Sequence, residues 1–144
     1  MTPSDIRRIS KRAKLAPSSF ISSIEEPPGR EREEPAVLIN GIKSLIILRW
    51  ADARRCIFYE NGCSIYASRP MLCRTYPFRI GKNGLADLKS RACPMRWVPD
   101  DAEKKRYIDD LRRYGKALEE YKKMADGWND KGGGTLVEFL AAVK

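Results

Sequence analysis

The sequence predicts an α+β fold, in which helices at both ends flank a small antiparallel sheet. Residues 36–39 and 42–50 are rich in apolar side chains and are separated by Asn40-Gly41. Two-residue hairpin turns favour this pair because both positions need positive φ. Residues 101–125 instead repeat apolar side chains every three or four positions, which is typical of a helix. A length of 144 residues suits a small single domain.

The N-terminal segment predicts two helices and a loop. Thr2 can cap the first helix, Pro3 fits its first position, and Asp5 lies at the positive end of its dipole. A second short helix is expected over residues 17–21. Residues 25–35 are charged and contain several prolines, which favours a loop.

The middle of the chain predicts short strands and tight turns. We expect a strand at 56–59, a tight turn at Asn61-Gly62 and one helical turn over 68–73. An extended segment at 76–78 and a further strand at 85–88 follow.

The C-terminal segment predicts two more helices. Asp101 can cap the first, which starts at about Glu103 and runs to about residue 125. Its expected apolar face contains Ile108, Leu111, Ala117 or Leu118, and Tyr121. Residues 132–134 predict a flexible connector, and Thr135 and Glu138 have capping-box spacing, so a last helix is expected over 136–143. We therefore divide the chain into residues 1–99 and a helical extension over 100–144 that packs on them.

The composition excludes several classes of protein. The chain has no histidine, which removes Ser-His-Asp and Cys-His catalysis and the commonest nitrogen ligand of metals. No apolar run approaches the roughly 20 residues that span a bilayer, and the first residues lack the apolar stretch of a secretory signal. We expect a cytoplasmic protein with no membrane association.

The chain has four cysteines, Cys56, Cys63, Cys73 and Cys93. They fall within one short segment, and most lie beside a glycine or proline that favours a turn. Because turns can make thiolates converge, the sequence predicts one loop-held metal centre with these four ligands. Two disulfides, or four buried free cysteines, are the alternatives.

Positive charge is concentrated around the cysteines. Residues 51–99 carry nine basic and three acidic side chains, whereas residues 100–144 carry ten of each. Nearby arginines would favour thiolate over thiol, so we interpret the excess as compensation for a thiolate centre. We assign Arg69 and Arg74 to cofactor binding, as groups that bind an anion or support the thiolates. A nucleic-acid patch is the alternative.

The cysteine segment resembles the YkgJ-like cysteine-cluster family of zinc- or iron-chelating proteins. The matching residues are Gly62-Cys63-Ser64-Ile65-Tyr66, Arg69-Pro70, Cys73-Arg74 and Tyr76-Pro77-Phe78. The start of the chain, Thr2 to Ile9, is also similar to the family's first helix. Family members carry a further cysteine group before that helix, and here Met1 stands in its place. Either this protein has lost those ligands or its true start lies upstream, and we favour the second explanation.

The resemblance implies metal binding, and iron–sulfur oxidoreductase is the activity label that accompanies it. Four thiolates without histidine suit an iron–sulfur cluster. We therefore favour an iron–sulfur protein in electron transfer or oxidoreduction, with an unidentified redox partner or substrate. The alternative is a structural zinc module that binds nucleic acid or an acidic protein.

Overall fold

The computed structural model describes residues 1–29, 33–52, 55–82, 84–87 and 98–143, and it confirms the α+β class. The elements in chain order are α1 (Pro3–Ala13), α2 (Pro17–Phe20), β1 (Ile21–Glu25), β2 (Val37–Ile39), β3 (Ile42–Leu48), a 3₁₀ helix (Tyr66–Ser68), α3 (Met71–Thr75), β4 (Phe78–Gly81), β5 (Gly84–Asp87), α4 (Asp101–Asn129) and α5 (Leu136–Ala142).

The chain forms two compact units. The larger unit contains Met1–Pro70 and Ala117–Lys144, and the smaller unit contains Met71–Lys116. Helix α4 contributes its first half to the smaller unit and its second half to the larger one. The expected division at residues 99 and 100 stays a prediction.

Helix α1 begins as the sequence predicts. The Thr2 hydroxyl accepts a hydrogen bond from the Asp5 backbone N–H, and the Asp5 carboxylate accepts one from the Thr2 backbone N–H. This reciprocal pair is a capping box, which satisfies donors that the first turn would leave unpaired. Ile6 and Ile9 are buried on one face of the helix.

A three-stranded antiparallel sheet forms in the larger unit, in the order β1-β3-β2. The predicted turn between β2 and β3 is confirmed, with φ of 52° at Asn40 and 80° at Gly41. Strand β1 was not predicted. It pairs with β3 from Ile21 opposite Leu48 to Glu25 opposite Ser44. Its sequence contains two serines, so its stability comes from pairing with β3 rather than from local propensity.

The core of the larger unit is apolar and draws on α1, the sheet, the second half of α4, and α5. Its most buried members include Ile6, Ile9, Phe20, Ile21, Val37, Ile46, Tyr121, Ala125, Phe139 and Val143. Residues 132–134 do not act as a loose connector. The Gly134 N–H donates to Leu38 O at 3.3 Å, and a Cβ on Gly133 would lie 2.4 Å from the same oxygen.

The smaller unit is built from α3, a two-stranded hairpin of β4 and β5, and the first half of α4. The Phe78 and Tyr107 rings pack with centroids 4.6 Å apart. The predicted strand at 85–88 is confirmed as β5, although Leu88 lies outside the described residues. The extended conformation expected at 76–78 is wrong for Tyr76 and Pro77, which form a turn before β4.

The buried face of α4 differs from the predicted one. Tyr107, Asp110, Tyr114, Leu118 and Tyr121 are buried, whereas Ile108 and Leu111 are only half-buried. The prediction considered apolar side chains alone and so missed a face that contains a carboxylate. No helix in the described part of the chain is both long enough and apolar enough to cross a membrane.

Candidate metal centre

Cys56 lies in a tight turn rather than in the predicted strand. It forms an isolated bridge with Trp50, and its carbonyl accepts a hydrogen bond from the Tyr59 N–H at 3.0 Å. The Phe58 side chain within this turn is buried in the core, where its ring centroid lies 5.7 Å from that of Phe20. Cys56 itself stays half-buried.

Cys63 follows a second tight turn, which the sequence predicts correctly. Asn61 and Gly62 have φ of 54° and 147°, and the Glu60 N–H donates to Gly62 O at 2.9 Å. These values of φ bring Tyr59 and Cys63 into an isolated bridge. The Cys63 side chain is exposed. Backbone turns therefore fix the positions of both Cys56 and Cys63.

Cys73 lies on a helix rather than on a loop. It is the third residue of α3 and is exposed. The helical turn expected over 68–73 takes the form of two short helices on either side of Arg69-Pro70, since proline cannot continue the first one. Thr75 is buried, and its hydroxyl donates to Met71 O at 3.0 Å, which closes α3.

The fourth predicted ligand, Cys93, lies outside the described residues. Within the described ranges, no three cysteine or acidic side chains form a group that could hold a metal ion. The donor chemistry nevertheless fits a soft metal. Cys56 and Cys63 have thiols that are not engaged in a disulfide, and thiolates are the ligands of zinc sites and iron–sulfur clusters.

The two arginines assigned to cofactor binding have different surroundings. The guanidinium carbon of Arg69 lies 4.0 Å from the centroid of the exposed Tyr66 ring, a cation–π contact. The Arg69 carbonyl accepts a hydrogen bond from Arg8 Nη2 at 2.9 Å, which ties α1 to the segment before Cys73. Arg74 Nε instead lies 3.6 Å from Asp110 Oδ2.

Asp110 and Arg8 are the residues around this segment that sequence reasoning missed. Asp110 has a helical spacing of three from Tyr107 and four from Tyr114, so it shares their buried face. The spacing of apolar side chains alone does not place an acidic residue on a buried helix face, so it gave no sign of Asp110. The contact of Arg8 with the Arg69 carbonyl was missed because the sequence does not show which part of the chain lies beside α1.

The comparisons with known proteins give one family. Residues 1–108 match the family model "CxxCxxCC: Putative zinc- or iron-chelating domain", and this range includes all four cysteines. The motif in the family's name does not occur among the four cysteines of this sequence, which are more widely spaced. No curated protein and no solved structure matches the chain. Since the match covers most of the chain, the protein belongs to the CxxCxxCC family of zinc- or iron-chelating domains.

Proposed function

We propose that Cys56, Cys63, Cys73 and Cys93 together hold one iron–sulfur cluster, and that the protein transfers electrons or catalyses a redox reaction. The observation that carries this proposal is the family match, because the matched range contains every cysteine of the chain. The absence of histidine leaves cysteine as the only soft ligand type besides methionine. Such a cluster would supply one-electron chemistry.

The surroundings of the cysteines support a thiolate centre. Arg69 and Arg74 lie close to Cys73 in the sequence and carry positive charge, which stabilises thiolates. The Tyr66 ring holds the Arg69 guanidinium, and Asp110 lies beside that of Arg74. Thiols persist in reducing compartments, and we therefore infer a cytoplasmic location.

Anaerobic purification followed by elemental analysis and absorbance spectroscopy tests the metal. Iron with acid-labile sulfide and visible charge-transfer bands would support the cluster. Replacing each cysteine by serine should lower the iron content, whereas the neighbouring change Ser64→Ala should leave it unchanged, since Ser64 Oγ donates to Phe58 O rather than to a ligand. Protein that is metal-free after anaerobic purification would contradict the proposal.

A structural zinc site is the second candidate, and the surface of α1 favours a nucleic-acid partner for it. Lys11, Arg12 and Lys14 are exposed towards its C-terminal end, and within the described part of the chain none has a carboxylate oxygen within 4.0 Å. Arg7 is also exposed, but its Nη1 donates a hydrogen bond to Val143 O at 2.8 Å. Unpaired cations on one helix are typical of phosphate-binding surfaces. Colourless protein with stoichiometric zinc would support this candidate over the cluster.

Salt dependence tests the partner. Affinity for double-stranded DNA should fall steeply as salt rises, because phosphate contacts release counterions. The double variant Lys11→Gln, Lys14→Gln should weaken binding at every salt concentration. The matched change Lys122→Gln, Lys123→Gln, on the exposed face of α4, should not. Weak, salt-independent binding would contradict a nucleic-acid partner and leave an acidic protein as the alternative.

A further inference from the structure

The smaller unit contains a nearly buried carboxylate, that of Asp110 on α4. Its side chain is 9% exposed, and its two oxygens lie 3.6 Å from Arg74 Nε and 3.6 Å from Arg113 Nη1. A carboxylate removed from water is costly unless a cation compensates it. Arg113 is 73% exposed and screened by water, whereas Arg74 is 33% exposed. Arg74 is therefore the stronger partner of the two.

Arg74 directly follows Cys73 on α3, so Asp110 acts on the helix that carries a predicted ligand. Helix α3 has only five residues, too few to be stable alone, so tertiary contacts set its orientation. One turn before Asp110 on α4, Tyr107 packs on Phe78 at the start of β4. The same face of α4 thus contacts the chain on both sides of the turn at Tyr76 and Pro77.

We propose that Asp110 is a positioning residue for Cys73. By holding the Arg74 guanidinium, it fixes the rotation of α3 and so the direction in which the Cys73 thiol points. The inference depends on the proposed metal site, and it adds a residue that lies beyond the family match, which ends at residue 108. Residues that orient a metal ligand without binding the metal themselves are important for affinity. Their removal typically weakens metal binding by about 10- to 100-fold.

The variant Asp110→Asn tests this role, with Asp109→Asn as the matched control. Asp109 is the adjacent residue of α4, and its side chain is 47% exposed and lies 3.7 Å from Arg112. The probe is Co²⁺, whose thiolate charge-transfer band reports bound cysteines. Asp110→Asn should weaken Co²⁺ binding by about 10- to 100-fold and reduce the band to the level of Cys73→Ser. Asp109→Asn should match the parent protein in both measurements.

Further variants separate positioning from general stability. Asp110→Glu keeps the charge and should recover most of the affinity. Arg74→Gln removes the other partner, and adding Asp110→Asn to it should cause little further loss, because both changes break one interaction. If Asp110→Asn does not fold, the Co²⁺ affinity of Arg74→Gln, compared with that of the parent, tests the same ion pair.

The outcomes distinguish the two proposals. A parent protein that binds no Co²⁺ overturns the proposed function, and the role of Asp110 with it. A parent that binds Co²⁺ while Asp110→Asn keeps the full band overturns only the positioning role, even if the melting temperature falls.

Discussion

The two units of the protein differ in what fills their interiors. The larger unit buries mostly aliphatic and aromatic side chains, among them Phe20, Ile21 and Phe139. Both units also bury polar side chains, namely Thr2, Asp5, Ser44 and Ser68 in the larger one and Thr75 and Asp110 in the smaller one. Among the described residues of the smaller unit, however, these two polar side chains stand beside four buried apolar or aromatic ones, Met71, Phe78, Tyr107 and Tyr114, so its interior is the more polar of the two. The larger unit is therefore the part of the chain whose folding is driven by apolar burial.

The difference indicates how stability and function are divided. A small unit buries a small fraction of its surface, so polar contacts and ligands matter more to its stability. Cys73 lies in that smaller unit, whereas Cys56 and Cys63 lie in the larger one. Under the proposed function, we expect the larger unit to fold without metal and the smaller unit to gain stability from it.

The largest expected effect is that of Phe139→Ala in the larger unit. Phe139 is fully buried, and its ring packs edge-on against Trp128 with centroids 5.3 Å apart. Loss of this ring should lower the free energy of unfolding by about 3–5 kcal/mol, because it leaves a cavity. Urea denaturation followed by circular dichroism measures the change. Val137→Ala on the same helix, where the side chain is 71% exposed, should cost less than about 0.5 kcal/mol.

A matched truncation in the smaller unit, Phe78→Ala, should open that unit alone. Phe78 is buried against Tyr107, and its loss should cost about 3 kcal/mol locally. Hydrogen exchange should then accelerate in β4 and the first half of α4, while the amides of β3 stay protected. Ile80→Ala, in the same strand but exposed, is the control. Equal acceleration in β3 would show that the two units unfold together.

Much of the fold could be predicted from local signals. The caps at Thr2 and Thr135, the Asn40-Gly41 hairpin and the Asn61-Gly62 turn all depend on residues close together in the sequence, and each is confirmed. Strand β1 was missed because its pairing with β3 is a tertiary effect. The expected strand at 56–59 was wrong because the chain makes a turn there, closed by the hydrogen bond from the Tyr59 N–H to Cys56 O.

The candidate site could be predicted only as a list of ligands. The cysteine set and the family were recognisable from residue types and spacing, and the family is confirmed. The contacts that orient the segment were not recognisable, since Arg74 and Asp110 are 36 residues apart and meet only through packing of α4. The roles of the four cysteines as ligands stay a prediction.

A smaller effect is expected from Tyr121→Phe in the larger core. The Tyr121 hydroxyl is buried, and no hydrogen-bond partner is found for it in the described part of the chain. Removing a buried unpaired hydroxyl should stabilise the protein by about 1 kcal/mol at pH 7. Burial, and then the negative charge of Glu34, raise the pKa of Tyr121 above its ordinary value of 10.0.

The sign of the pH dependence follows from that raised pKa. Above pH 10 the unfolded chain loses the phenol proton while the folded chain keeps it, so the free energy of unfolding falls as pH rises. Below pH 10 both states keep the proton and the group contributes no slope. The urea midpoint of unfolding should therefore fall less between pH 9 and 11 in Tyr121→Phe than in the parent protein. Tyr59→Phe, at an exposed site, should leave it unchanged.

A last effect of similar size tests whether capping adds to the apolar stability of the larger unit. Thr135 Oγ1 accepts a hydrogen bond from the Glu138 N–H at 3.2 Å, and Glu138 Oε2 accepts one from the Thr135 N–H at 2.8 Å. Thr135→Ala should cost about 1 kcal/mol, and Thr135→Ser much less, because serine keeps the hydroxyl.

The hydrogen bond from the Thr135 backbone, followed by that from its side chain, lowers the pKa of Glu138. The contribution of this carboxylate to the free energy of unfolding is present above its ordinary pKa and is lost as the pH falls through the lowered pKa. The difference in the free energy of unfolding between the parent and Thr135→Ala should therefore shrink in acid. A difference that stays constant with pH would mean that the hydroxyl, and not the Glu138 carboxylate, supplies the stabilisation.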